Sequence, residues 1–208
     1  MKVKLVSYST PTEEFLNEGI DNAQELVAFC ARVSNPSNQL NTETSEKLIK
    51  YLIKNAHWSP LEMVSACLEI ETTRDIARQI LRHRSFSFQE FSQRYANPVK
   101  DLKNIQNSIE NDDEEISNMW IEKQEHLINE ARETYNWAIE NGIAKEQARA
   151  VLPEGNTVSR MYMNGTLRSW IHYIELRSGN GTQKEHMEIA VACAEVITKI
   201  FPMSKNLD

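Results

Sequence analysis

Residues 82 to 95 read Arg-His-Arg-Ser-Phe-Ser-Phe-Gln-Glu-Phe-Ser-Gln-Arg-Tyr. Three arginines, a histidine and three serines fall within fourteen residues, opposed by the single carboxylate of Glu90. The chain around them is acidic, at a formal charge of −7. A cationic patch on an acidic protein repels itself unless an anion neutralises it. The arginine fork binds phosphate bidentately, and serine hydroxyls and backbone N–H groups supply further donors. The chemistry that this stretch suggests is a pocket for a phosphorylated small molecule. The plainer alternative is that Arg82 and Arg84 offset the dipole at a helix C-terminus. Phe86, Phe88 and Phe91 interleaved with polar residues, and Arg94 beyond any helix end, favour the anion site.

The elements that must position this stretch can be read from periodicity. Residues 2 to 8 alternate and predict a strand. Residues 22 to 33 predict a helix, stopped by Asn35-Pro36-Ser37 because the residue before proline avoids the helical region. Residues 43 to 54 predict a second helix with Leu48, Ile49, Leu52 and Ile53 on one face and a Glu46–Lys50 pair outside. After the turn His57-Trp58-Ser59-Pro60, residues 63 to 72 alternate as a strand. Residues 73 to 82 form a short helix that delivers the signature stretch as an extended or looped segment.

Residues 97 to 115 are polar and acidic, ending in Asn111-Asp112-Asp113-Glu114-Glu115, and read as a loop. A long helix over about 113 to 141 follows, with Trp120, Leu127, Ala131 and Ala138 as its expected buried stripe and Gly142 as its C′ residue. A short helix reaches Leu152. Thr157 to Met163 reads as a strand, 165 to 178 as a helix with Leu167, Trp170, Ile171 and Ile174 inward, and 184 to 200 as a last helix. The expected fold is α+β: one domain over 1–208, a mixed or antiparallel sheet core flanked by helices, and a helical excursion over about 98–150.

A chain of 208 residues can bury its own core. No apolar run approaches the roughly 20 residues of a membrane span, and the start lacks the pattern of a signal peptide; a cytoplasmic protein with no membrane partner is expected. Cys30, Cys67 and Cys193 are odd in number and far apart, which suggests neither a disulfide framework nor a metal cluster. Cys30 and Cys67 sit in apolar patterns and are expected to be buried thiols. The acidic balance argues against nucleic acid as a partner. No G-x-S-x-G, H-E-x-x-H or glycine-rich dinucleotide loop is present.

Arg82-His83-Arg84, then seven residues, then Ser92 resembles the signature of the flavin-dependent thymidylate synthases, the thymidylate synthase-complementing proteins. The resemblance extends to Ala31-Arg32-Val33-Ser34, His57-Trp58-Ser59-Pro60-Leu61-Glu62, Gln79, Arg94-Tyr95, Arg149-Ala150-Val151-Leu152-Pro153, and Leu167-Arg168-Ser169-Trp170 leading to Arg177. These appear in the family's order from about residue 28 to about residue 200. The resemblance implies reductive methylation of dUMP to dTMP. 5,10-Methylenetetrahydrofolate supplies the carbon, NADPH the electrons, and bound FAD relays the hydride. It also implies a homotetramer with shared active sites.

Carried over by position, the family's dUMP contacts fall on Gln79, Arg82, Glu90, Phe91, Ser92, Gln93, Arg94, Arg149 and Arg177. Arg94 and Arg149 suit the phosphate. Arg177 matches the arginine that polarises the uracil ring, an electrostatic role; read without the resemblance, it is a helix C-terminal cation. Ser92 is assigned to substrate binding, since no base–orienter pair for a nucleophile is evident. For FAD the match gives Ser34, Ser59, Arg82, His83, Arg84, Glu90, Arg168 and His172. His57 matches an active-site histidine near the flavin that helps position folate, against the plainer reading of a hydrogen-bonded turn residue. The family's flavin-contacting asparagine corresponds by counting to Thr166, with Asn164 two positions earlier. The turn from Ser178 to Lys184 is longer than in relatives, so no contact is carried past Arg177. Two other functions fit the same residues: a flavin enzyme that modifies another pyrimidine nucleotide, and a non-catalytic nucleotide- or RNA-binding module.

Overall fold

The computed structural model describes residues 2–106 and 113–202. In chain order these residues form β1 (Lys2–Tyr8), α1 (Glu13–Asn17), α2 (Ala23–Ala31), α3 (Ser45–Lys54), β2 (Ser65–Thr73), α4 (Arg74–Ile80) and β3 (Ser87–Glu90). They continue with α5 (Glu114–Glu140), α6 (Lys145–Ala148), β4 (Val158–Thr166), α7 (Leu167–Ser178) and α8 (Lys184–Ile200). Short 3₁₀ turns lie between, among them Ser59–Glu62 and Arg149–Val151. The four strands make one antiparallel sheet in the order β1-β2-β4-β3, so the fold class is α+β.

Local signals account for most of these boundaries. Asn22 caps α2 by accepting from Glu25 N at 3.0 Å, and Glu25 reaches back to Asp21 N. The Glu46–Lys50 pair on α3 forms at 2.8 Å. Asp113 caps α5 through Ile116 N. At the other end of α5, Gly142 adopts φ +79°, with Gly142 N bonding Ile139 O and Ile143 N bonding Ala138 O. That is the paired bonding of a Schellman cap, which glycine accommodates without strain. Asn111 and Asp112 of the expected acidic loop lie outside the described residues.

By density of contacts the chain divides into two compact units. The first holds the described residues of Met1–Ile70, His83–Gln89 and Tyr162–Asp208; the second is Glu71–Arg82 and Glu90–Met161. In the first unit, Trp170, Ile171 and Tyr173 of α7 and Ile189, Cys193 and Ile197 of α8 are fully buried, and α8 also packs on β1. Trp170 Nε1 donates to Ala66 O of β2 at 3.0 Å, and Leu167 N donates to Val64 O. In the second unit, Ile128, Ala131, Tyr135 and Ala138 of α5 pack with Val99, Leu102, Ala148 and Leu152.

Two expectations need correction. The buried stripe of α5 is Gln124, Ile128, Ala131, Tyr135 and Ala138, while Trp120 and Leu127 are about half exposed. Cys30 and Cys67 are only half-buried, and Cys193 is the enclosed thiol. α1, with five residues, is too short to show a helical period in the sequence.

Candidate functional site

In the first unit the signature enters through His83, Arg84 and the turn before β3. The turn is held by its apolar member. Phe86 is buried, 4.8 Å centroid to centroid from Trp170, and its ring lies over Gly165 of β4, where a Cβ would come within 2.4 Å of it. Ser169 Oγ on α7 donates to Ser85 O at 3.2 Å. With its backbone so fixed, His83 accepts from Arg177 Nε at 3.0 Å through its Nε2. An accepting Nε2 carries no proton, so the neutral ring is protonated on Nδ1. Two predicted site residues almost a hundred positions apart are thereby in direct contact.

The other predicted residues of this unit gather at the start of α7 and the turn Ser59–Glu62, which packs against α7 and α2. His172 and Trp58 meet edge-on at 4.5 Å, and Arg168 is ion-paired with Glu62. Thr166 is the N-cap of α7: its hydroxyl accepts from Ser169 N at 3.3 Å. Asn164, the other position considered, is exposed on β4. His57 is exposed, with the Tyr51 ring at 5.9 Å. Ser34 and Arg84 are exposed. Ser34 follows Arg32, a buried arginine that donates to Asn41 O and to Thr44 Oγ1.

The second unit holds most of the residues predicted for the nucleotide. Gln79 is half-buried on α4 and Arg82 is exposed just past it. Glu90 ends β3, and its Oε1 accepts from Ser159 Oγ at 2.8 Å and from Arg74 Nη1 at 3.3 Å. Phe91 N bonds Arg160 O, which carries the backbone into a turn. There Ser92 Oγ accepts from Arg94 N at 3.4 Å, and Gln93 is buried. Arg94 is exposed, its guanidinium 5.5 Å from the Tyr95 ring centroid. Arg149 is half-buried and donates through Nε to Glu146 O at 3.3 Å. Cations, amides and a hydroxyl on a turn are the donor set a phosphate and a pyrimidine require.

The sequence profile of the thymidylate synthase complementing protein family matches residues 16–203. The chain belongs to that family. It is 48% identical to the probable flavin-dependent thymidylate synthase of Paramecium bursaria Chlorella virus 1, over 100% of this chain and 99% of the relative. It is 46% identical to the flavin-dependent thymidylate synthase of Synechocystis sp., over 97% of this chain and 96% of the relative. A crystal structure of a UMP/dUMP methylase from Streptomyces cacaoi bound with 5-Br dUMP shares the fold. Its TM-score is 0.80 at 23% identity, covering 99% of this chain and 93% of that one.

Within this family member, several partners of the site residues carried no sequence signal. Arg74 and Ser159 reach Glu90 from 16 and 69 positions away. Glu62 sits in the quoted turn motif, but nothing in its spacing ties it to Arg168. Tyr173 packs edge-on to His83 with centroids 4.9 Å apart, and its hydroxyl lies 3.2 Å from Nε2 of the fully buried His186. Burial, first, and then the charge of Arg177 lower the pKa of His186 to about 4. Burial raises that of Tyr173, so its phenol keeps its proton. The i, i+4 relation of Tyr173 and Arg177 was the one available clue.

Proposed function

We propose that this chain catalyses reductive methylation of dUMP to dTMP, with 5,10-methylenetetrahydrofolate as carbon donor and NADPH as reductant. The residues fit a flavin. His83, Arg84, Arg168 and His172 offer guanidinium or ring N–H donors suited to a diphosphate, Ser34 and Ser59 add hydroxyls, and Trp58 adds an aromatic wall beside His172. When bound, FAD supplies the hydride relay. Asn164 is the better candidate than Thr166 for a flavin contact, because the Thr166 hydroxyl is engaged at the α7 cap.

The remaining chemistry belongs to side chains. Arg94 and Arg149 hold the dUMP phosphate; Gln79, Arg82, Phe91, Ser92 and Gln93 hold the rest of the nucleotide. Glu90, fixed by Arg74 and Ser159, sets the turn that carries Phe91, Ser92, Gln93 and Arg94. Arg177 polarises the uracil, drawing charge toward O2 and N3 so that the ring accepts carbon or hydride. His57 orients folate. The observation that carries this reading is the Arg177–His83 bond. It joins the signature to the arginine that the family motif assigns to the pyrimidine.

Exposed apolar side chains support assembly of the cytoplasmic enzyme as a homotetramer: Val33, Tyr51, Met63 and Leu176 in one unit, Met119, Trp120, Leu127 and Trp137 in the other. The test is the visible spectrum of the purified protein during a dUMP titration, with product analysis on dUMP and dCMP. A flavin band that shifts and saturates with dUMP, together with dTMP formation, is expected. A flavin indifferent to dUMP but responsive to dCMP moves the activity to another pyrimidine, and a protein that never takes up FAD overturns it.

A further inference from the structure

Tyr173 and Arg177 stand four apart on α7, one turn above each other on the same face. The His83 ring is held by both: Tyr173 packs nearly perpendicular to it, at 86°, and Arg177 donates to its Nε2. The Tyr173 ring is in turn fixed from α8, where the buried His186 lies within hydrogen-bond distance of its hydroxyl. His186 is not near the exposed surface, and the mechanism has no use for it as an acid or base. A tyrosine ring with an anchored hydroxyl cannot swing about its side-chain torsions as a phenylalanine can. His83, packed on that ring, therefore keeps both its orientation and the bare Nε2 that Arg177 requires. With its Nε–H committed to His83, Arg177 has its terminal N–H groups to offer a ligand.

We propose that Tyr173 and His186 are positioning residues, which aim Arg177 at the pyrimidine by holding the His83 ring in one orientation and one tautomer. The proposal rests on the role given to Arg177 above. Outer partners that orient a metal-binding histidine typically change affinity or activity about 10- to 100-fold when removed, and a histidine that holds an arginine is expected to respond on the same scale.

The test uses the FAD-bound protein and three variants: Tyr173→Phe, His186→Leu and His186→Gln. Tyr173→Phe removes one oxygen and keeps the ring. It is expected to lower kcat with dUMP about 10-fold or more, with KM for dUMP changed less than about 3-fold. The flavin band of this variant is expected to respond to dUMP differently from that of the parent. His186→Leu should behave alike, and His186→Gln, which can still meet the tyrosine hydroxyl, should recover much of the loss. With 15N-labelled histidine, the parent should show His83 with a bare Nε2 and a protonated Nδ1, and Tyr173→Phe should mix the two tautomers. If His186→Leu does not fold, Tyr173→Phe gives the same readings. Wild-type turnover and an unchanged His83 signal in Tyr173→Phe overturn the proposal, as does a loss of rate that merely follows a lower melting temperature. An active Arg177→Ala control would instead overturn the role of Arg177, and the His83 tautomer would still report on the positioning.

Discussion

Arg177 gives its Nε–H to His83, and that single bond decides which substitutions can be tolerated there. Lysine keeps the charge but has no second nitrogen with which to hold the histidine while meeting a ligand. Arg177→Lys is therefore expected to lower kcat about 100-fold while the protein purifies yellow with its usual flavin content. Near-normal dTMP formation by that variant would refute the polarising role. Glu90 presents the opposite case, an acid whose partners matter more than its exposure. Arg74, only 12% exposed at its side chain, and Ser159 converge on one carboxylate oxygen. Glu90→Ala leaves the guanidinium of Arg74 without that counter-charge, at a cost of about 1–3 kcal/mol. Urea unfolding of the variant measures it, and an unchanged midpoint would contradict the account. The signature residues themselves were legible in the sequence because Arg82-His83-Arg84 is contiguous and Ser92 follows it after seven residues. Arg74, Ser159, Tyr173 and His186 were not, because what makes them matter is a contact across turns and strands.

The elements follow period and cap signals wherever those are strong. β1, α2, α3 and β2 are found within about two residues of where alternation and helical spacing put them. α5 has the expected length, yet it buries a different face from the one its apolar pattern predicts. Apolar residues occur on both sides of it, and a wide Trp120 weighs more in a sequence pattern than the Gln124 that is actually buried. Gln124 is inside because its amide bonds Gln106 N and O and Asn156 Nδ2, a network that no periodicity can announce. Gly165 is another residue whose reason lies elsewhere in the chain. It sits in β4, a strand interior where glycine is ordinarily a weakness. The Phe86 ring occupies the space of its missing side chain. Phe86 is also wedged against Trp170 and Tyr173, so it cannot yield cheaply. Gly165→Ala should destabilise the fold by about 1–3 kcal/mol and lower activity by displacing the signature turn that Phe86 anchors. Retained stability in a urea titration would show that the ring moves aside freely.

At the scale of the molecule, pH reads out the buried charges. The native chain refuses a proton at His186 until about pH 4, because burial and the neighbouring Arg177 disfavour the cation; the unfolded chain takes one near 6.5. The unfolded state thus binds more protons between those values, and its favour grows as pH falls. The stability associated with neutral His186 is fully present above about 6.5, is lost progressively toward about 4, and amounts to at most about 3 kcal/mol. Asp101 works in the other direction. Burial raises its carboxyl above the usual value of 3.8, so the native state holds that proton more firmly and loses stability as pH rises through the raised value. The two effects have opposite slopes, and a single curve of stability against pH would blend them with every other titration. Comparing the parent with His186→Gln removes all that the two proteins share. The difference between their unfolding free energies should be flat above about pH 6.5 and should shrink in favour of the glutamine variant on the way to pH 4. Parallel curves over that range would mean that His186 is charged in the native protein, or reaches water, and its place beside Tyr173 would have to be redrawn.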